Sequence, residues 1–173
     1  MANLRILTAD DLKALDSLER QAVRRAARQQ PLVRLILRTF LERGGPLRVE
    51  DLAAGSPDSP AETLRGALLS LDDEDLIRFR DDLIDIAYPF AAAPTPFRLR
   101  FSDGRERYAC CAMDALGIAP MVGETIGIES SCYHCGAGLR FRATPDGPRP
   151  ESQGMMVWFG QRGDERCKVA DSL

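Results

Sequence analysis

The chain has 173 residues, 45% of them hydrophobic and 28% charged, with a formal net charge of −3. This is the composition of a soluble globular protein with one ordinary domain or two small ones, and it excludes a membrane span, because no apolar run approaches the roughly 20 residues a bilayer requires. A slightly acidic chain is a poor general binder of nucleic acid, and a single histidine, His134, excludes multi-histidine metal centres and disfavours Ser-His-Asp catalysis.

The first residues, Met1-Ala2-Asn3-Leu4-Arg5, carry no charged region followed by an apolar stretch, so no signal peptide is expected and the default compartment is the cytoplasm. Apolar residues at Leu12, Leu15, Leu18, Ala22 and Ala26 predict a helix from Thr8 to about Gln30. Pro31 opens a second helix, with Leu32, Leu35, Ile36 and Phe40 facing inward and Gly44-Gly45 ending it. A short helix fits Val49 to Ala54. Ser59-Pro60-Ala61-Glu62 combines a capping box with a first-turn proline and starts a helix carrying Leu64, Ala67, Leu68 and Leu71. The period then changes to two: Leu76 to Arg80 and Leu83 to Tyr88 read as a hairpin around Asp81-Asp82.

Helices followed by a hairpin is the winged-helix order. The helix that would read DNA ends in Asp72-Asp73-Glu74-Asp75 and has only Arg65 as a cation, the wrong charge for phosphate, so a structural use is expected. Pro89 to Pro96 reads as a linker between a module at 1–90 and a second at 97–173. The second part is expected to hold strands at Phe97 to Phe101, Thr125 to Ser130, Leu139 to Ala143 and Met155 to Phe159. It also holds a short Ala-rich helix around Cys110 to Leu116, ended by Gly117, and a polar loop from Pro145 to Gln153. The expected fold class is α+β: a winged-helix-like helical module, then a small mixed or antiparallel sheet with a short active-site helix.

The chemistry of the chain lies in its five cysteines. Cys111 and Asp114 are three residues apart, which puts a thiol and a carboxylate on one helical face. On its own, Asp114 reads as a solvated or capping carboxylate. Cys132-Tyr133-His134-Cys135 is a CxxC. With Cys110 and Cys111 it supplies four thiols for zinc, although adjacent cysteines rarely aim both sulfurs at one tetrahedral ion. As a redox dithiol it lacks the usual helix: Gly136-Ala137-Gly138 and a strand follow it. Cys110 reads as a buried, inert thiol. Trp158 and Phe159 suit either a pocket wall or the core.

The run Tyr108-Ala109-Cys110-Cys111-Ala112-Met113-Asp114-Ala115-Leu116, then Gly123, then Ile128-Glu129-Ser130-Ser131-Cys132 and Gly136, resembles the organomercurial (alkylmercury) lyase family. The resemblance runs in order over about residues 30 to 167. It implies that Cys111 is the first catalytic cysteine and Asp114 the catalytic carboxylate. It implies that Cys132 is structural and that Cys167 is the second catalytic cysteine, with Cys111 and Cys167 as ligands of the substrate mercury. Cys135 departs from the family, which usually has threonine there. The implied activity is thiolate-assisted protonolysis of a carbon–mercury bond. It needs no resident cofactor, a small organomercurial is the substrate, and low-molecular-weight thiols or a mercuric reductase accept Hg(II). The chain is expected to be a monomer or weak dimer, without a nucleic-acid or membrane partner. The alternative is a non-catalytic module that senses or binds a soft metal, or holds zinc through Cys132 and Cys135.

Overall fold

The computed structural model of the chain describes residues 30–53, 55 and 60–158, together with Asp11 and Ala26. The helix expected from Thr8 to Gln30 lies almost wholly outside them. The chain divides into two compact units, Met1–Arg34 and Leu35–Leu173. Helix α1 spans Pro31–Arg43, and its Ile36 and Phe40, four residues apart, are buried in the second unit. After it come β1 (Leu47–Arg48), α2 (Val49–Ala53) and α3 (Ala61–Asp73). In α3, Leu64, Leu68 and Leu71 recur at helical spacing and are buried, each stabilising the fold by about 2 kcal/mol.

Strands β2 (Ile77–Arg80) and β3 (Leu83–Ala87) form the expected hairpin. Its two-residue loop, Asp81-Asp82, has positive φ at both positions (51° and 60°), the conformation that matches the twist of flanking strands. Residues 89–96 are more than a linker. They contribute β4 (Phe90–Ala91), which pairs with β3 on one side and with β6 on the other. The Phe90 ring stacks on Phe40 of α1 at a centroid distance of 6.5 Å.

Strands β5 (Arg98–Arg100), β6 (Glu106–Ala109), β7 (Ile126–Ser131), β8 (Gly138–Thr144) and β9 (Gly147–Pro148) complete a nine-stranded sheet among the described residues. The order is β1-β3-β4-β6-β5-β7-β8-β9, with β2 on the other edge of β3, and every pair is antiparallel. The protein is thus α+β around an antiparallel sheet. The segment expected as a polar loop after Ala143 holds β9 and one 3-10 turn, Pro150–Ser152. Residues 155–158 form no strand, and Phe159 lies outside the described residues.

Alternation sorts the sheet into two faces. Leu99, Ile126, Ile128 and Ala143 fall on one face and are almost fully buried. Helix α4 (Ala112–Val122) buries Ala115, Ile118 and Ala119 and packs against β6, β8 and β9. The other face carries charge in register: Arg98 opposite Glu129 opposite Arg140, and Arg100 opposite Gly127 opposite Arg142. Glu129 pairs with Arg98 and lies 3.5 Å from both Arg100 and Arg140, so its carboxyl is held below the ordinary glutamate range. A shallow depression on this charged face is lined by Arg100, Glu129, Arg140 and Arg142, and neither Cys111 nor Asp114 contributes to it.

Two arginines of the β6 segment reach α1. Arg107 donates to the carbonyls of Phe40 and Glu42 at 2.8 and 2.7 Å, and Arg105 to that of Leu41 at 2.8 Å. The last carbonyls of a helix lack intrahelical partners; that of Phe40 also takes the Gly44 amide at 3.0 Å, and the guanidinium groups reach it and its two neighbours with favourable charge.

Candidate active site

The strand β6 leads straight into the thiol pair. Thr95 fixes its end: the hydroxyl donates to the Ala109 carbonyl at 2.6 Å and accepts from the Phe97 amide at 3.1 Å. The Cys110 amide donates to Pro89 at 3.0 Å, and its side chain is buried with Ile86 and Tyr88. Cys110 is thus a buried core thiol. Anchoring it inward turns Cys111 away from the core.

Cys111 does not sit inside the helix. It is the N-cap of α4, extended at φ −150° and ψ 177°. Its sulfur takes the place that a serine or aspartate oxygen ordinarily holds, accepting amide hydrogens from the first turn. The Asp114 amide reaches it at 3.4 Å, and the Met113 amide faces it as well. The helix is longer than its sequence suggested. It runs through Gly117 and Pro120 and ends at Gly123, whose φ of 75° is the left-handed conformation glycine supplies at a C-cap. Gly117 does not stop it because the next residues, Ile118 and Ala119, are buried against the sheet.

The Cys111 thiol donates to Asp114 Oδ2 at 3.0 Å. Both residues are half-buried. Burial pushes the Cys111 thiol up to about 12, with the Asp114 charge and the hydrogen bond to it adding in the same direction; the two amides oppose this and lose. At rest the proton stays on sulfur and points at a carboxylate oxygen. A soft electrophile that takes the sulfur releases that proton to an acceptor already in contact.

Cys132 and Cys135 lie in the turn after β7. The Gly136 amide donates to the Cys132 carbonyl, and the Cys132 amide to the Ala137 carbonyl, both at 2.8 Å; Gly136 has φ 71°. Cys132 is half-buried and Cys135 exposed. The Cys135 and His134 amides and the Cys135 thiol point at the Cys132 sulfur and lower its pKa. The sequence named this pair but missed the amides, for which the only signal was the glycine directly after the second cysteine. No set of three or more His, Cys, Asp or Glu side chains among the described residues is placed to hold a metal. A closed zinc site needs four ligands, so the described donors do not fit it. Cys167 lies outside the described residues, and Trp158 is exposed (61%).

Comparison with known proteins bears on the same region. Residues 90–173 match the sequence profile of the alkylmercury lyases. Residues 90–173 are thus a segment of alkylmercury lyase-like sequence. The chain is 33% identical over 115 residues to the alkylmercury lyase of Staphylococcus epidermidis, covering 66% of this chain and 50% of the relative. It is 28% identical over 107 residues to the alkylmercury lyase of Bacillus cereus, covering 62% and 47%. The chain thus spans about half the length of the curated alkylmercury lyases it matches. Its fold is similar to that of a crystal structure described as the mercury-bound form of MerB2, with a TM-score of 0.62 and 17% identity over 76% of this chain and 66% of the other. Among the described residues no helix is long and apolar enough to cross a membrane.

Proposed function

We propose that this protein cleaves the carbon–mercury bond of small organomercurials by protonolysis. The observation that carries the reading is the 3.0 Å hydrogen bond from the Cys111 thiol to Asp114, within a segment of alkylmercury lyase sequence. The Cys111 sulfur bonds to mercury and displaces its labile ligand, and the thiol proton passes to Asp114 Oδ2. A second thiolate, assigned to Cys167, joins the metal and raises the electron density on the attached carbon. Soft thiolates suit this step because mercury is a soft metal. Asp114 then returns its proton to that carbon, the carbon–mercury bond breaks, and hydrocarbon leaves. Two thiols are consumed: one proton ends on the hydrocarbon, the other leaves with the displaced ligand, and Hg(II) stays on two sulfurs until external thiols or a reductase remove it. Such thiol pools place the reaction in a reducing cytoplasm.

In this reading residues 1–90 are a winged-helix-like module with a structural role. In support, the Arg65 charge of α3 is already paired with Asp82 at 2.8 Å, and α3 ends in acid. The test is benzene release from phenylmercuric acetate in excess thiol, followed by headspace gas chromatography. Turnover by the wild type, lost in Cys111→Ser, supports the reading; folded wild-type protein that releases no benzene sinks it.

A further inference from the structure

The proposed reaction leaves the Cys132–Cys135 turn unused, and this turn presents two accessible thiols. Two thiols sit three residues apart at a strand end, on an element separate from α4. Their chain reversal is locked by two backbone hydrogen bonds of 2.8 Å and by the positive φ of Gly136. Cys135 is exposed and Cys132 half-buried, so the pair is open to solvent. No helix follows to make it a thioredoxin-like redox centre; β8 begins at Gly138. No third protein ligand stands ready for zinc among the described residues. A soft cation satisfied by two thiolates needs none.

We propose that Cys132 and Cys135 form a second soft-metal site, which takes one Hg(II) ion as a two-thiolate chelate apart from Cys111. On binding, two S–H bonds break and two S–Hg bonds form. The two protons go to solvent, or leave on two small thiols when mercury arrives as a bis-thiolate complex. The choice of mercury rests on the function proposed above; the dithiol geometry does not. The site offers a landing place for Hg(II) whose occupation leaves Cys111 to the next substrate.

The test is titration of the full-length chain with mercuric chloride under anaerobic, reduced conditions. A Cys111→Ser/Cys167→Ser background removes the other two candidate ligands. The expected result is one mercury retained through desalting, two free thiols lost, and a sulfur-to-mercury charge-transfer band. Adding Cys135→Ser turns a two-point attachment into one and weakens retention against a competing monothiol by about a hundredfold or more. Retention unchanged by Cys135→Ser overturns the proposal, and so does binding of two ions with one thiol each. In the otherwise unaltered chain, Cys135→Ser lowers the mercury capacity by one; unchanged capacity also overturns it. Neither readout uses cleavage. A chain that chelates mercury here but releases no benzene keeps this inference and loses the enzymatic one, and the reverse result separates them equally well.

Discussion

Cys111 and Cys132 are the same side chain in opposite electrostatic settings. Both sulfurs receive backbone amides, at a helix start for Cys111 and in a tight turn for Cys132. Cys111 also has burial and a carboxylate, and its thiol rises to about 12; Cys132 has neither influence in comparable strength, and its thiol falls. Amide donation alone therefore does not make a reactive thiolate. At Cys111 burial, joined by the Asp114 carboxylate, outweighs it, and the outcome is a proton store instead of a nucleophile in waiting.

The largest expected effect separates the two directly. Asp114→Asn removes the proton acceptor and should lower the turnover number for benzene release by about 10²- to 10⁴-fold, the usual worth of a general acid–base group. The same substitution should make Cys111 a better nucleophile, because a raising influence has gone: alkylation at pH 8 should quicken roughly tenfold for each unit by which the thiol pKa falls. Turnover down and alkylation up together mark Asp114 as a proton carrier. If both fall, it is only holding the fold.

The pH profiles of labelling should diverge next. With its thiol near 12, Cys111 is ionised at pH 8 to on the order of one part in 10⁴, and iodoacetamide labelling should climb steadily through pH 9 to 11. Cys132 should reach its plateau at lower pH, since its thiol is shifted below the ordinary value. Peptide mass spectrometry after timed alkylation reads both at once, and Cys111 labelling first would break the contrast.

A smaller effect tests the turn. Gly136 holds φ at 71°, where a side chain costs about 1–2 kcal/mol, although its Cβ would meet open space. Gly136→Ala should therefore strain the turn without a clash, shift the amides off Cys132 and move its labelling profile to higher pH while leaving that of Cys111 in place. The smallest is at the cap. Cys111→Ser keeps an acceptor for the Asp114 amide, so the urea midpoint should shift by less than about 1 kcal/mol equivalent even though turnover is lost.

Much of this was legible in the residues. Periodicity gave α1, α3 and the β2–β3 hairpin, because each buries one regular face or turns on residues suited to it. The thiol–acid pair was visible from spacing and from its resemblance to a known motif. Three features were not. The two-residue strands β1, β4 and β9 are too short to carry a period and exist only through their partners. The length of α4 was hidden by Gly117, which read as its end, whereas tertiary burial of Ile118 and Ala119 carries the helix on through Pro120. Cys111 as a cap, rather than a residue within the helix, was invisible because sulfur is not among the usual capping atoms.

The arginine contacts between β6 and α1 bear on how such a protein can change over time. Arg105 and Arg107 grip carbonyl oxygens of Phe40, Leu41 and Glu42, which belong to the peptide backbone and not to any side chain. Helix α1 can exchange its exposed side chains freely and still present the same three oxygens to the strand that delivers Cys111. The freedom is one-sided. Arg107 spans two carbonyls with a planar fork that a lysine, with its single ammonium, does not reproduce. Variation is open on the helix and closed at the arginine.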